Sequence, residues 1–127
     1  MATAVLDTSV VFAAINREPG AELATELIPT ALFSTVNLGE LATKLADKGF
    51  SRAELNAIIG TLECEIVPFD FAQAVDAGLL RPPTKKQGLS LGDRSCLALA
   101  LARGLPAYTA ERSWADLRLG IDIRLIG

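Results

Sequence analysis

Histidine is absent from all 127 residues of the chain. That absence removes imidazole metal ligands, serine–histidine triads and histidine acid–base chemistry together. Any catalysis must then come from carboxylates, hydroxyls, lysines or a metal held by oxygen. Cysteine is scarce: Cys64 and Cys96 both sit in apolar company, which suits free thiols in a reducing cytoplasm better than a disulfide framework. No run of about 18 apolar residues occurs, so no membrane span is expected. The apolar start MATAVLDTSVVFAAI has no basic region and is interrupted by Asp7, which argues against a signal peptide. Positive charge is in slight deficit, with 12 lysines and arginines against 15 acids and a formal charge of −3. Such a balance disfavours broad, non-specific nucleic-acid binding. It still admits a phosphate substrate if divalent cations sit on the carboxylates.

Half of the residues are hydrophobic, enough for a core in a single domain spanning residues 1–127. Short apolar runs at 3–6, 31–34, 65–68 and 107–109, with a last one around 121–124, read as buried strands. Between them the spacing predicts helices over 10–15, 20–28 and 36–48, then one opened by the Ser51–Glu54 capping box and another capped by Asp70. Residues 97–102 alternate Leu and Ala, apolar on every side, which predicts a helix wholly shielded from water and stopped by Gly104 and Pro106. Residues 81–87, RPPTKKQ, read as a basic, proline-containing loop. Strands alternating with helices predict a parallel sheet covered on both faces, whose sites lie at the carboxyl ends of the strands.

That rule turns a list of acids into a constellation. Asp7 ends the first strand, and Glu40 lies one to two turns into the helix after the second. Asp93 opens the helix leading to the fourth strand, and Glu111 follows that strand. Oxygen donors without imidazole or thiolate suit Mg²⁺ or Mn²⁺, which activate water and neutralise phosphate charge. Each acid also has a plainer reading. Asp7 fits a helix N-cap, and Ser90–Asp93 has capping-box spacing, although Asp93 shares a face with Leu97 and Ala100. Glu40 lies opposite the Leu38, Leu41 and Leu45 stripe, with Lys44 placed for a surface ion pair. Glu111 fits a solvated loop. Arg81, Lys85 and Lys86 fit a solvated loop or a weak RNA-phosphate contact. The helices at 36–48 and 52–62 carry two apolar stripes, which serve either as core or as a partner's seat.

Three segments, AVLDTSVVFAAI, STVNLGELATKL and GLSLGDRSCLALALARGLPAYTAERSW, together resemble the PIN-domain family, and more narrowly the VapC-type toxins of bacterial toxin–antitoxin pairs. The similarity runs in order through essentially the whole chain, and GLSLGDRSCLALA is its most specific part. The resemblance implies a PIN-like three-layer α/β sandwich, a short and mostly parallel sheet with helices on both faces. It implies a Mg²⁺- or Mn²⁺-dependent endoribonuclease toxin of a type II system, acting on structured RNA such as transfer or ribosomal RNA. Matched motif by motif, the family's acids fall on Asp7, Glu40 and Asp93, and supporting hydroxyls on Thr8 or Ser9 and on Thr109. Relatives of this type carry Asp after the Thr-Ala pair where this chain has Glu111, a longer side chain suited to an outer or water-mediated role. Asp116, five residues on, is the alternative fourth acid; Glu111 follows directly on the strand and is preferred. The implied partners are a small antitoxin docking on the helical hairpin and a second copy in a cytoplasmic homodimer, without a membrane.

Two other readings stand beside it. A PIN scaffold kept only for binding is compatible with the altered fourth acid. A Mg²⁺-binding, receiver-like signalling module would want paired acids after the first strand and a late lysine, and no lysine follows Lys86. A haloacid-dehalogenase-like phosphatase would want aspartate where Ser9 stands.

Overall fold

The computed structural model describes residues 1–127. The apolar runs form five strands: β1 (Ala4–Leu6), β2 (Ala31–Ser34), β3 (Glu65–Val67), β4 (Ala107–Thr109) and β5 (Ile123–Leu125). All neighbouring pairs are parallel, in the order β3-β2-β1-β4-β5. Seven helices accompany them: α1 (Thr8–Asn16), α2 (Ala21–Leu27), α3 (Thr35–Asp47), α4 (Arg52–Gly60), α5 (Phe71–Leu79), α6 (Arg81–Thr84) and α7 (Leu91–Arg103). No helix is long and apolar enough to cross a membrane, and both cysteines are free.

Successive side chains of a strand face opposite sides, and here each side has its own core. Ala4, Leu6, Phe33 and Tyr108 pack with residues of α1, α2 and α3. Val5, Leu32, Val67 and Ala107 pack on the other side with α5 and α7. The result is the three-layer sandwich expected from the alternation of elements. From β1 the chain runs one way to β2 and β3, then returns to place β4 on the other side of β1. The carboxyl ends of β1 and β4 therefore flank the point where the strand order reverses, which in open α/β sheets is where crevices form.

Three local expectations are corrected. The segment after Leu80 is not all loop: Arg81–Thr84 is a short helix. Proline is tolerated in a first turn because no partner awaits its missing N–H, and the Thr84 hydroxyl donates to Leu80 O at 2.7 Å. The helix at α7 is not shielded on every side, since Leu101 is 48% exposed and Ala102 and Arg103 are exposed. Three-residue strands span roughly 10 Å whereas a helix of 13 residues spans roughly 20 Å, so its last turn overhangs the sheet. The final strand begins two residues later than expected, because Ala107 pairs with Ile123 rather than Ile121.

Candidate active site

At the end of β1, Asp7 occupies the N-cap position of α1 yet makes no side-chain capping bond. Its carboxylate is engaged elsewhere: Oδ2 accepts the Ser9 hydroxyl at 2.7 Å and the Thr109 hydroxyl at 2.9 Å. Both hydroxyls also accept, Ser9 from Ala110 N–H at 2.9 Å and Thr109 from Glu111 N–H at 3.0 Å. The pair thus ties the end of β1 to the loop after β4. With only 3% of its surface exposed, Asp7 loses most of its hydration. Burial pushes its pKa from 3.8 up to about 6, the Asp93 charge adds to the rise, and the two hydroxyls oppose it.

Glu40 enters from α3. Its Oε1 accepts the Thr8 hydroxyl at 2.7 Å and the Asn37 amide at 3.0 Å, and Asn37 Nδ2 also donates to Gly92 O at 3.0 Å. The side chain is half-buried rather than a free surface acid, even though it lies opposite the apolar stripe. Helix α3 packs on α7 as well as on the sheet, so a second face is covered. Lys44 makes no ion pair with Glu40; its Nζ stands 4.9 Å from the Phe12 ring centroid. Asp93 does complete a capping box, its Oδ2 accepting Ser90 N–H at 2.9 Å, and it also lines the cavity described next.

These side chains meet in a cavity of about 100 Å³ lined by Asp7, Thr8, Ser9, Glu40, Lys44, Asp93 and Glu111, with no hydrophobic residue among them. Asp7, Asp93 and Glu40 together also raise the pKa of the fully buried Cys96 thiol, an effect added to the larger one of burial. One sulfur thus registers the field of three acids. A larger hollow of about 250 Å³ lies around Met1, Leu32 and Glu65, at the amino ends of the strands. Size does not pick out the site; polarity at the carboxyl ends does.

Glu111 lines the cavity, whereas Asp116 is exposed at the end of the 3₁₀ turn Arg112–Asp116 and does not. Arg81, Lys85 and Lys86 are exposed and lie outside the lining; the cation in it is Lys44. Asn37 and Gly92 are the neighbours that sequence reasoning did not single out, and Lys44 enters it only as a surface partner of Glu40. An asparagine three residues before Glu40 was the available signal for the first, and a glycine inside a capping box for the second.

Solved structures with the same fold include DNA-bound VapBC from Salmonella typhimurium, at TM-score 0.73 and 23% identity over 100% of both chains. VapBC-5 from Mycobacterium tuberculosis, a member of the VapBC family of toxin–antitoxin systems, matches at TM-score 0.62 and 26% identity over 99% of this chain and 98% of that one. VapC20 from the same organism, a sarcin–ricin loop cleaving toxin, matches at TM-score 0.71 and 20% identity over 91% of this chain and 97% of its own. A comparison with curated proteins finds no match. The PIN domain model covers residues 4–118, from β1 through the 3₁₀ turn that follows β4. That span takes in all four cavity acids, and the chain belongs to the PIN domain family.

Proposed function

We propose that this chain is the ribonuclease toxin of a toxin–antitoxin pair, hydrolysing RNA phosphodiesters with Mg²⁺ or Mn²⁺ held in the acidic cavity. The observation that carries this reading is the convergence of four carboxylates in a cavity without hydrophobic lining, in a chain without histidine. The solved relative that cleaves the sarcin–ricin loop makes structured ribosomal RNA the first substrate to try. The donor set fits a hard divalent cation, since every lining acid and hydroxyl offers oxygen. No three acids stand close enough to cage an ion. A cation such as Mg²⁺ commonly keeps several waters and takes only one or two carboxylates.

In this reading Asp7 and Asp93 would hold the cation, with Glu40 and Glu111 completing the site or orienting the attacking water. The cation supplies charge neutralisation at the phosphate and a more acidic water. The hydroxyls of Ser9 and Thr109 fix Oδ2 of Asp7. Thr8 and Asn37 fix Oε1 of Glu40. Lys44 is the cation of the lining and in this reading would meet a phosphate oxygen. The fourth acid tests the reading. Glu111→Gln lowers Mn²⁺ affinity in calorimetry and slows RNA cleavage by about tenfold, the scale of an outer-sphere ligand, while Asp116→Asn leaves both unchanged. The reverse pattern assigns the fourth acid to Asp116.

Partners belong to the same proposal. Several structural neighbours are toxin–antitoxin complexes, and helix α4 has no fully buried residue. Leu55 and Ile58 pack partly against the core and Ile59 is half-buried. Just past the end of α4, a cavity of about 240 Å³ that Ile15, Ile28, Thr61 and Leu62 help line is a seat suited to an antitoxin's apolar segment. Self-association has a different surface. On α5, Phe71 is 86% exposed and Leu79 69%, and every fully exposed residue of that helix is apolar or glycine. An apolar face with its one charge, the half-buried Asp76, at the edge can meet its own copy about a two-fold axis. Ile59→Glu weakens antitoxin binding and leaves cleavage by the free chain intact, while Phe71→Glu shifts the chain to monomer in sedimentation. Unfolding of Ile59→Glu would mark that position as core, and a Phe71→Glu chain that sediments like wild type would contradict the α5 surface.

A further inference from the structure

Gly92 stands in the first turn of α7 with an ordinary helical backbone, since its φ is not among the positive ones. Conformation therefore does not require glycine there, and alanine would be the better helix former. Space requires it. A Cβ built on Gly92 would overlap the carboxyl carbon and both oxygens of Glu40, whereas the helical glycines Gly39, Gly60 and Gly78 have nothing within 4 Å of theirs. The Glu40 carboxylate thus rests directly on the backbone of α7, in the notch where a side chain is missing.

Asn37 closes the other side of that notch. It is fully buried, and its Nδ2 donates at 3.0 Å both to Glu40 Oε1 and to Gly92 O. Both partners can only accept, so the orientation of the amide is settled by chemistry. Its Oδ1 is left buried without a partner, an arrangement that costs stability and that an apolar residue would avoid. The amide is placed for what its N–H side holds. Both hydrogen bonds to Glu40, from Thr8 and from Asn37, fall on Oε1, which leaves Oε2, the atom nearest the Gly92 notch, without a hydrogen bond from the protein.

We infer that Gly92 and Asn37 are positioning residues that seat Glu40 across the α3–α7 junction, where it lines the cavity. The seat is an observation of this chain alone; its purpose in holding a cation rests on the function proposed above. Two sets of measurements separate the two.

The first is made without metal, by thermal melts in EDTA on a double-mutant cycle of Gly92→Ala and Glu40→Ala. In the wild-type background Gly92→Ala changes the melting temperature little, because helix propensity gained is offset by expelling the carboxylate. In the Glu40→Ala background the same substitution raises it by a few degrees. Equal shifts in both backgrounds would overturn the seat. The second is Mn²⁺ calorimetry. Gly92→Ala and Asn37→Ala each lower affinity about tenfold, the range seen when a ligand loses its orienting partner, and Gly92→Ala adds no further loss to Glu40→Gln. Wild-type affinity in Gly92→Ala, or a further tenfold loss beyond Glu40→Gln, would overturn the positioning role. A wild-type chain that binds no Mn²⁺ would instead sink the cation reading and the role toward it, with the seat judged by the melts.

Discussion

The Asp7→Asn protein is expected to be more stable than wild type at pH 7.5 and inactive on RNA. Most substitutions at buried positions destabilise, so the opposite sign carries information. Ionised Asp7 is held in a site that burial and the neighbouring Asp93 charge make unfavourable, with its pKa raised from 3.8 to about 6. At 1.36 kcal/mol per pH unit, that displacement costs about 3 kcal/mol of folding free energy once the group is ionised. Asparagine removes the charge and keeps an oxygen for the Ser9 and Thr109 hydroxyls that now bond Oδ2. Cleavage falls by roughly 10²-fold or more, the scale of losing one charge-stabilising group at a reacting centre. Urea melts and an RNA-cleavage assay on the same preparation check both halves. A variant that is less stable than wild type yet fully active contradicts the role assigned to Asp7.

The cost of ionising Asp7 also has a pH course. The folded pKa lies above the unfolded one, so the folded chain binds the Asp7 proton more tightly. Its contribution to stability is fully present below about pH 4 and is lost as pH rises through about 6. The stability of wild type minus that of Asp7→Asn, measured without metal from pH 4 to pH 8, therefore falls by up to about 3 kcal/mol and flattens above pH 7. Taking the difference cancels the carboxylates common to both proteins. A difference that stays level, or rises with pH, shows that Asp7 is not desolvated in the folded chain.

The fold was legible where local chemistry decides it. Strands β1 and β2 are apolar runs closed by Asp7 and Ser34, and α4 is opened by a capping box that forms as its sequence reads, Ser51 and Glu54 bonding reciprocally. The misplaced elements are those whose position depends on distant partners. Ile121 and Ile123 offer the same alternation, so only pairing with Ala107 chooses between two registers of β5. The exposed end of α7 follows from its length against three-residue strands, a relation between elements rather than a property of either.

The site divides along the same line. Asp7 and Glu111 could be placed from the ends of their strands. Glu40 could not be placed by periodicity, because the face that looked free on α3 is covered by α7. Its neighbours Asn37 and Gly92 belong to that non-local contact, 55 positions apart in sequence. Asp93 satisfied two readings at once, a helix cap through Oδ2 and a cavity acid. Capping and function were never alternatives for a carboxylate with two oxygens.

We propose that the acidic cavity cleaves RNA through a divalent cation. The most direct test of this proposal is cleavage of ribosomal RNA by the purified chain, followed in one reaction through addition of Mn²⁺, then excess EDTA, then Mn²⁺ restored. Cleavage that starts with Mn²⁺, stops with EDTA and resumes, and that Asp93→Asn lacks throughout, is the expected result. Cleavage that continues unchanged in EDTA, or is equally strong in Asp93→Asn, would contradict it.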